Sequence, residues 1–254
     1  MAIELARGVG PIALQYFRGG AVVANKLGDG LFDPVTAADR EIESQLRREI
    51  GRRFPSHGVI GEEHDNKRAE GPLSWVIDPI DGTRAFISGM PAWGIMIGLL
   101  EDGIPQIGAV YQPFTGETFF GDGSGAWLRN QGGTTPMRSR STERLADAVL
   151  YCTHPSMFSA GEVDAFERVA SSCRMARFGG DCYAYCMVAL GEVDLVVESG
   201  LQPYDILPLM PILAGAGARV TDWNGGPALA GGRVLAAASQ GLHGATLDCL
   251  DWPR

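Results

Sequence analysis

The chain has 254 residues, of which 45% are hydrophobic and 20% charged, a composition typical of a globular protein with one large domain or two closely packed lobes. Its formal net charge of -9 disfavours nucleic acid as a partner, no apolar run approaches the roughly 18 residues that span a bilayer, and the first residues show no secretion signal. The odd count of five cysteines, without a Cys-x-x-Cys pair, predicts a reduced cytoplasmic protein with neither a disulfide framework nor a thiolate zinc site.

The first part of the chain is predicted to form two helices and two strands. Apolar residues recur at helical spacing over residues 3–17 and again over residues 36–51, where Thr36 and Asp39 form a capping-box pattern. Two short strand-like runs follow, and each ends directly in acidic residues. These runs cover residues 58–61 and 75–77.

From residue 93 to residue 127 the sequence predicts an antiparallel meander. Strand patterns at residues 94–100, 106–111 and 117–120 are separated by turn residues. The glycine-rich run 121–125 superficially suggests a nucleotide-binding loop. Because it follows a meander strand and opens no helix, we interpret it as a tight turn.

Beyond residue 136 the pattern changes to alternating strands and helices, which is typical of a layered α/β lobe. We therefore predict an α/β protein with an α+β lobe over residues 1–135, which carries most of the metal ligands proposed below, and an α/β lobe over residues 136–254. The predicted segments of the second lobe are 148–152, 163–169, 174–178, 182–190, 193–198, 204–216 and 219–223.

The segment 78–83, with the sequence Asp-Pro-Ile-Asp-Gly-Thr, places two carboxylates directly after a hydrophobic strand. The proline stiffens the turn, so that Asp78, Asp81 and the carbonyl of Ile80 can point into one pocket. Gly82 permits a close backbone approach, and the amides of Gly82 and Thr83 would begin the next helix and bind an anion. Such a turn can hold a metal ion on one side and phosphate on the other.

Further acids lie at residues 62–63 and at Asp205. If they converge with Asp78 and Asp81, their repulsion requires cations, and a ligand set made only of oxygen atoms favours Mg²⁺, with Mn²⁺ as a substitute. Two such ions would activate water for phosphomonoester hydrolysis without a protein nucleophile. Each acid alone also has a structural explanation, as a turn residue, a solvated loop residue or, for Asp205, the N-cap of a helix over residues 206–216. The complete set favours a metal site.

Four short motifs occur together in this chain, at residues 33–39, 61–63, 75–83 and 203–205. In this combination they resemble the inositol monophosphatase superfamily of Mg²⁺-dependent phosphatases, which Li⁺ inhibits. The resemblance implies a layered αβαβα sugar-phosphatase fold, two or three Mg²⁺ ions in each active site, a small phosphorylated substrate and a homodimer.

The resemblance also implies which side chains hold the metal ions and which act on the attacking water. Asp39 and Thr83 match residues that orient and help deprotonate that water. Glu62 is also expected to be catalytic. Glu63 matches an acid that lies behind the metal ligands. The implied ligands are Glu62, Asp78 and the Ile80 carbonyl for one ion, and Asp78, Asp81 and Asp205 for the second.

Residues 177–185 and 196–205 look like the histidinol-phosphate phosphatase branch of this superfamily. Histidinol phosphate carries an ammonium group and an imidazole, and Asp181 and Glu198 would pair with these groups. Arg177 is expected to be a further substrate contact, and the phosphate is expected at the amides of residues 82 and 83.

Each of these substrate assignments has an alternative. Asp181 could instead be the N-cap of a helix over residues 182–190. Glu198 also matches a polyol-binding acid of inositol phosphatases and therefore does not discriminate between the branches. Arg177 could pair with a neighbouring acid.

The predicted function is the Mg²⁺-dependent hydrolysis of L-histidinol phosphate to L-histidinol and phosphate, in histidine biosynthesis. The alternative is an inositol-1-monophosphatase or a broader sugar or nucleotide phosphate phosphatase. A non-enzymatic regulatory role is disfavoured by the complete set of acids, and direct RNA binding is disfavoured by the negative charge.

Overall fold

The computed structural model describes residues 1–19, 23–25 and 34–253, and Asp33, which begins the first motif, lies outside them. Within these ranges the chain folds into two large β-sheets with helices packed against them. No described helix has both the length and the apolar character that a membrane crossing requires. The α-helices are α1 (Ala2–Tyr16), α2 (Ala37–Arg53), α3 (Thr83–Ile87), α4 (Ala160–Ser172), α5 (Asp181–Leu190), α6 (Pro203–Ile206), α7 (Met210–Ala216) and α8 (Gln240–Leu250).

The first large sheet has seven strands that neighbour one another in sequence order. Its first two strands are parallel and all later neighbours are antiparallel, which confirms the predicted meander. The run 121–125 is a tight turn, as predicted, because Asp122 Oδ1 accepts hydrogen bonds from the amides of Ser124 and Gly125 at 3.0 Å each. The strands are β3 (Gly58–Gly61), β4 (Leu73–Asp81), β5 (Gly94–Glu101), β6 (Ile104–Gln112), β7 (Glu117–Gly121), β8 (Ala126–Asn130) and β9 (Gly133–Pro136), after a short antiparallel pair β1 (Val23–Asn25) and β2 (Pro34–Thr36).

Helices α1 and α2 pack on this sheet, as the apolar spacing predicts. The predicted capping box of α2 is present: Thr36 Oγ1 accepts a hydrogen bond from Ala38 N at 3.1 Å, and Asp39 Oδ2 accepts one from Thr36 N at 2.9 Å. The helix continues two residues past the predicted end at Gly51. Its buried stripe consists of Ile42, Leu46 and Ile50.

The second sheet has five strands. Its central strand pairs with a parallel strand on one side and with an antiparallel strand on the other. The predicted alternation of strands and helices is confirmed up to residue 201, and the strand predicted at residues 219–223 is present as Arg219–Thr221. After residue 223, where no element is predicted, the structure has a further strand and α8. In spatial order the strands are β11 (Met175–Phe178), β10 (Val149–Cys152), β12 (Leu195–Leu201), β14 (Gly232–Ala237) and β13 (Arg219–Thr221).

The single helix predicted over residues 204–216 is wrong, because α6 and α7 are separate helices. Pro208 lies between them, and a proline both lacks an amide donor and disfavours helical geometry in the residue before it. Asp205 is therefore not the N-cap of a long helix. It is the third residue of α6, where its carboxylate accepts a hydrogen bond from the amide of the N-cap Gln202 at 2.7 Å.

Glycines allow the segment from Pro208 to α7 to lie directly on the first sheet. A Cβ atom built on Gly108 would overlap the carbonyl oxygen of Pro208, and one built on Gly121 would lie 2.8 Å from the Cα of Ile212. One apolar core, which includes Phe119 of the first sheet and Val196 of the second, crosses the predicted lobe boundary at residues 135 and 136. The division into two lobes stays a prediction.

We predict that Gly108→Ala destabilises the protein by about 1–3 kcal/mol, since the new methyl group must displace the backbone of Pro208. Urea unfolding measures this change. Gly51→Ala is the matched control: Gly51 lies in α2, and a Cβ atom built there meets no neighbouring atom within 4 Å, so alanine should stabilise by about 0.5–1 kcal/mol. Equal effects of the two substitutions would contradict this explanation of the close packing.

Candidate active site

Three carboxylates from two elements meet at the end of β4. One carboxylate oxygen of each of Asp78, Asp81 and Asp205 lies within 4.8 Å of the other two. In a regular strand, residues three apart point to opposite faces, but the pairing of β4 with β5 shifts register between Asp78 and Asp81. This irregularity allows both side chains to reach the same pocket, and α6 supplies the third.

The cluster is electrostatically unfavourable without cations. Asp78 is only 1% exposed, and burial raises its pKa well above the ordinary range, with further increases from the charges of Glu62 and the other acids nearby. Burial likewise raises the pKa of Asp81, followed by the charge of Asp181. Few donors offset this repulsion: Asp78 accepts from the amide of Ile80 at 3.1 Å, and Asp81 accepts from the amide of Cys182. A group of closely spaced hard oxygen atoms with this charge fits Mg²⁺.

The turn that follows the cluster begins α3 at Thr83, as predicted. Gly82 has a φ of 86°, and a Cβ there would lie 2.8 Å from the Ala92 carbonyl oxygen and 3.2 Å from the Cβ of Asp181, so glycine is required. Thr83 Oγ1 donates a hydrogen bond to the Ile80 carbonyl at 3.1 Å. Because α3 has only five residues, its dipole is small, and phosphate binding would depend on the amides and on bound cations.

Asp39 lies beside the cluster, close enough to raise the pKa of Asp78. It is 1% exposed, and burial raises its own pKa to about 6 against the lowering effect of the hydrogen bonds from Thr36. While Oδ2 accepts those bonds, Oδ1 has no hydrogen-bond partner among the described residues. A buried carboxylate oxygen without a donor is rare in folded proteins and fits an acceptor for a water molecule.

The loop that carries Glu62 and Glu63 is held by two residues that the sequence analysis missed. Glu43 lies on α2 and is fully buried. Its carboxylate accepts a hydrogen bond from the amide of Glu63 at 2.7 Å and forms an ion pair with Arg47, also at 2.7 Å. Arg47 also donates to the carbonyl oxygens of His64 and residue 65 at 3.0 Å. The signal in the sequence was a Glu and an Arg four residues apart, with the Glu next to the apolar stripe of α2.

Asp181 is the first residue of α5 and not its N-cap, so the capping alternative is wrong. Gly180 is the N-cap, and Asp181 has a φ of 45°, which few residues other than glycine, asparagine and aspartate adopt. Burial raises the pKa of Asp181 to about 7, the charge of Glu198 raises it, and that of Arg84 lowers it. Asp181 thus lies between the cluster and a second acid.

Glu198 is 2% exposed and held from two sides. Its Oε1 accepts a hydrogen bond from the amide of Thr153 at 2.7 Å, and its Oε2 accepts one from the hydroxyl of Tyr185 at 2.8 Å. Burial nevertheless raises its pKa. Glu198 is therefore a fixed, buried charge behind Asp181.

A cavity of about 680 Å³ opens next to Asp181 and is also lined by Arg177. Arg84, which the sequence analysis missed, lines the same cavity; its only signal was its position directly after the motif at residues 78–83. A second cavity of about 680 Å³, along residues 136–141 and α7, contains none of the predicted site residues. Volume alone therefore does not identify the site, but the acids do.

Residues 1–250 match the sequence profile of the inositol monophosphatase family. The chain belongs to the inositol monophosphatase family. Its mixed α/β fold with two sheets agrees with the solved structure of an inositol monophosphatase from Zymomonas mobilis, with a TM-score of 0.88 and 35% identity over 99% of this chain and 96% of that one. Both the predicted fold class and the resemblance are thereby confirmed, and the protein has the family's phosphatase chemistry on small phosphorylated molecules.

Two curated members of the inositol monophosphatase family illustrate the range of names among the relatives. The bifunctional phosphatase IMPL2, chloroplastic, of Arabidopsis thaliana is 38% identical over 260 residues, which cover 98% of this chain and 73% of that protein. The histidinol-phosphatase of Chlorobaculum parvum is 33% identical over 244 residues, which cover 95% of this chain and 92% of that protein. These similarities establish the family and leave the substrate to be argued from the site.

We predict that the metal-free protein loses stability as Asp181 ionises. Its folded pKa is raised from 3.8 to about 7, so its contribution is present in full below about pH 4 and is lost as the pH rises through 7. Differential scanning fluorimetry in EDTA measures the melting temperatures of the wild type and of Asp181→Asn. The wild-type value minus the variant value should fall as the pH rises from about 4 to about 7. Asp122→Asn is the control. Because hydrogen bonds lower the pKa of Asp122, the melting temperature of the wild type relative to this variant should rise with pH in the acidic range. A difference between wild type and Asp181→Asn that does not vary with pH would contradict the prediction.

Proposed function

We propose that this phosphatase hydrolyses L-histidinol phosphate to L-histidinol and phosphate, as a step of histidine biosynthesis. The observation that carries the proposal is Asp181, a half-buried carboxylate that borders both the acidic cluster and the cavity next to it. An ester whose alcohol carries an ammonium group would pair with this acid, whereas a neutral polyol gains less from it. The name of the Chlorobaculum parvum relative supports the same substrate.

The metal ions would be held by the residues that the family resemblance implies. Glu62, Asp78 and the carbonyl of Ile80 would bind one Mg²⁺, and Asp78, Asp81 and Asp205 a second, with a third ion possible in the same pocket. The close approach of three carboxylates and the raised pKa values of Asp78 and Asp81 support this assignment. When bound, the ions neutralise the carboxylates and polarise the phosphoryl group.

The protein's own side chains would orient the attacking water. Asp39 Oδ1, which has no partner among the described residues, would accept the water's hydrogen, and a pKa near 6 leaves most of this carboxylate ionised at neutral pH. The Thr83 hydroxyl, which donates its own hydrogen to the Ile80 carbonyl, would accept the other hydrogen of the water. The amides of Gly82 and Thr83 would bind the phosphate.

On the leaving-group side, Asp181 would contact the substrate's ammonium directly. Glu198, with both oxygens already accepting hydrogen bonds, would add negative charge from behind Asp181. Arg177 lines the cavity and would contact the far end of the alcohol.

A second candidate is the hydrolysis of inositol 1-phosphate or another sugar phosphate. It is favoured by the 35% identity to the inositol monophosphatase of Zymomonas mobilis, a value similar to that of the histidinol-phosphatase relative. Inhibition by Li⁺ and a homodimer are predictions under either function.

A panel of phosphate esters at fixed Mg²⁺ tests the function. We expect kcat/KM for L-histidinol phosphate to exceed that for inositol 1-phosphate by about tenfold or more, which corresponds to one charge-assisted hydrogen bond. Removal of metal with EDTA and the substitution Asp81→Asn should each abolish phosphate release, because both disrupt the metal site. Asp122→Asn, an exposed turn residue, should leave it unchanged. Equal or faster turnover of inositol 1-phosphate would favour the second candidate.

The role of Asp181 has its own test. We expect Asp181→Ala to raise KM for L-histidinol phosphate by about 10- to 100-fold, the value of a hydrogen bond to a charged group, with a much smaller change for glycerol 2-phosphate. Steady-state phosphate release measures both, and Asp181→Asn serves as the variant that keeps the shape of the side chain. If KM rises equally for the two esters, Asp181 has a structural role only.

A further inference from the structure

The cavity beside Asp181 is mostly apolar beyond its acidic end. Met90 enters it from the segment after α3, and Phe178 enters it from the end of β11. Tyr151, Tyr183 and Met187 complete the apolar part of the wall. The wall of the cavity therefore combines a carboxylate with aromatic and thioether side chains, of which Met90 and Phe178 are exposed.

Met90 and Phe178 are exposed apolar side chains, at 59% and 51%. Single exposed apolar side chains are normal on a protein surface and need no explanation. What distinguishes this pair is that both line one cavity of ligand size, next to the acid that borders the carboxylate cluster. The folded chain leaves these two surfaces available to a bound molecule.

The charges around the cavity indicate what kind of molecule fits. Asp181 can pair with an ammonium group, but Arg84 and Arg177 line the same cavity and disfavour a second cation further out. An uncharged flat ring suits that position, because it can stack on Phe178 and contact the sulfur of Met90. A polyol at that position would place hydroxyl groups against Met90 and Phe178, which offer no side-chain hydrogen bonds.

We propose that Met90 and Phe178 form a ring subsite and that the enzyme hydrolyses phosphate monoesters of aromatic amino alcohols as a class. This inference rests on the proposed function and extends it, because it predicts activity on L-phenylalaninol phosphate, whose ring lacks the imidazole nitrogens. The reaction is the same hydrolysis: a water oxygen bonds to phosphorus, the ester bond from phosphorus to the alcohol oxygen breaks, and the alcohol leaves with one proton of the water.

Three esters that share an amino-alcohol phosphate separate the contributions of ring and ammonium. They are the phosphates of L-histidinol, L-phenylalaninol and L-alaninol, tested with the Mg²⁺-loaded enzyme. We expect kcat/KM for the phenylalaninol ester to lie within about tenfold of that for the histidinol ester. The ringless alaninol ester should fall below both by about tenfold or more, since it buries no apolar ring.

Substitutions of Met90 and Phe178 test whether these side chains contact the ring of the substrate. Met90→Ala and Phe178→Ala should each lower kcat/KM for the two ring-bearing esters by about 5- to 10-fold, mainly through KM, and change the alaninol ester by less than about twofold. Phe178→Leu, which keeps an apolar contact with Phe166, covers the case in which the alanine variant folds poorly. Met175→Ala and Phe114→Ala are matched controls, with exposures of 44% and 47% at positions outside this cavity, and should change nothing.

Each alternative outcome is distinct. If the histidinol ester is hydrolysed but the phenylalaninol ester is not, polar contacts to the imidazole select the substrate and the ring subsite is wrong. If Phe178→Ala lowers activity on all three esters equally, Phe178 has a structural role and the inference again fails. If the wild type hydrolyses none of the three but does hydrolyse inositol 1-phosphate, the proposed function itself is overturned.

Discussion

Mutual repulsion among clustered carboxylates is the constraint on which the rest of this structure depends. Asp78, Asp81 and Asp205 bring oxygen atoms within 4.8 Å of one another, and the burial of Asp78 weakens the screening of its charge by water. Local preferences do not produce such an arrangement, because each acid alone would be more stable in solvent. The surrounding fold must hold the three together, and bound divalent cations would convert the repulsion into affinity.

Two features of the fold bring the acids together against this repulsion. The register shift in β4 allows residues three apart in one strand to reach the same pocket. The break at Pro208 and the close contact of that proline with Gly108 seat α6 against the first sheet, so that Asp205 reaches the end of β4. A core shared by both sheets supports this contact, which explains why glycine packing far from the acids matters for the site.

The parts of the fold that could be predicted are those that local physics determines. The capping box at Thr36 and Asp39, the meander and the turn at residues 121–125 all follow from short-range hydrogen bonding and from strand periodicity. The break at Pro208 was missed because the apolar spacing on both sides of it is helical. Glu43 was missed because its partner, the amide of Glu63, lies twenty residues further along the chain, and no local pattern connects them.

The sequence by itself indicated the type of chemistry, since acids at the ends of strands together with the turn at residues 78–83 are typical of hard-cation binding and phosphate hydrolysis. Only the tertiary structure decided what lies on the leaving-group side. That cavity is assembled from three segments of the chain, at residues 84–92, 151–154 and 177–187, the last about ninety residues after the first. Side chains so far apart in sequence carry no shared periodicity, and their proximity depends on how the two sheets pack.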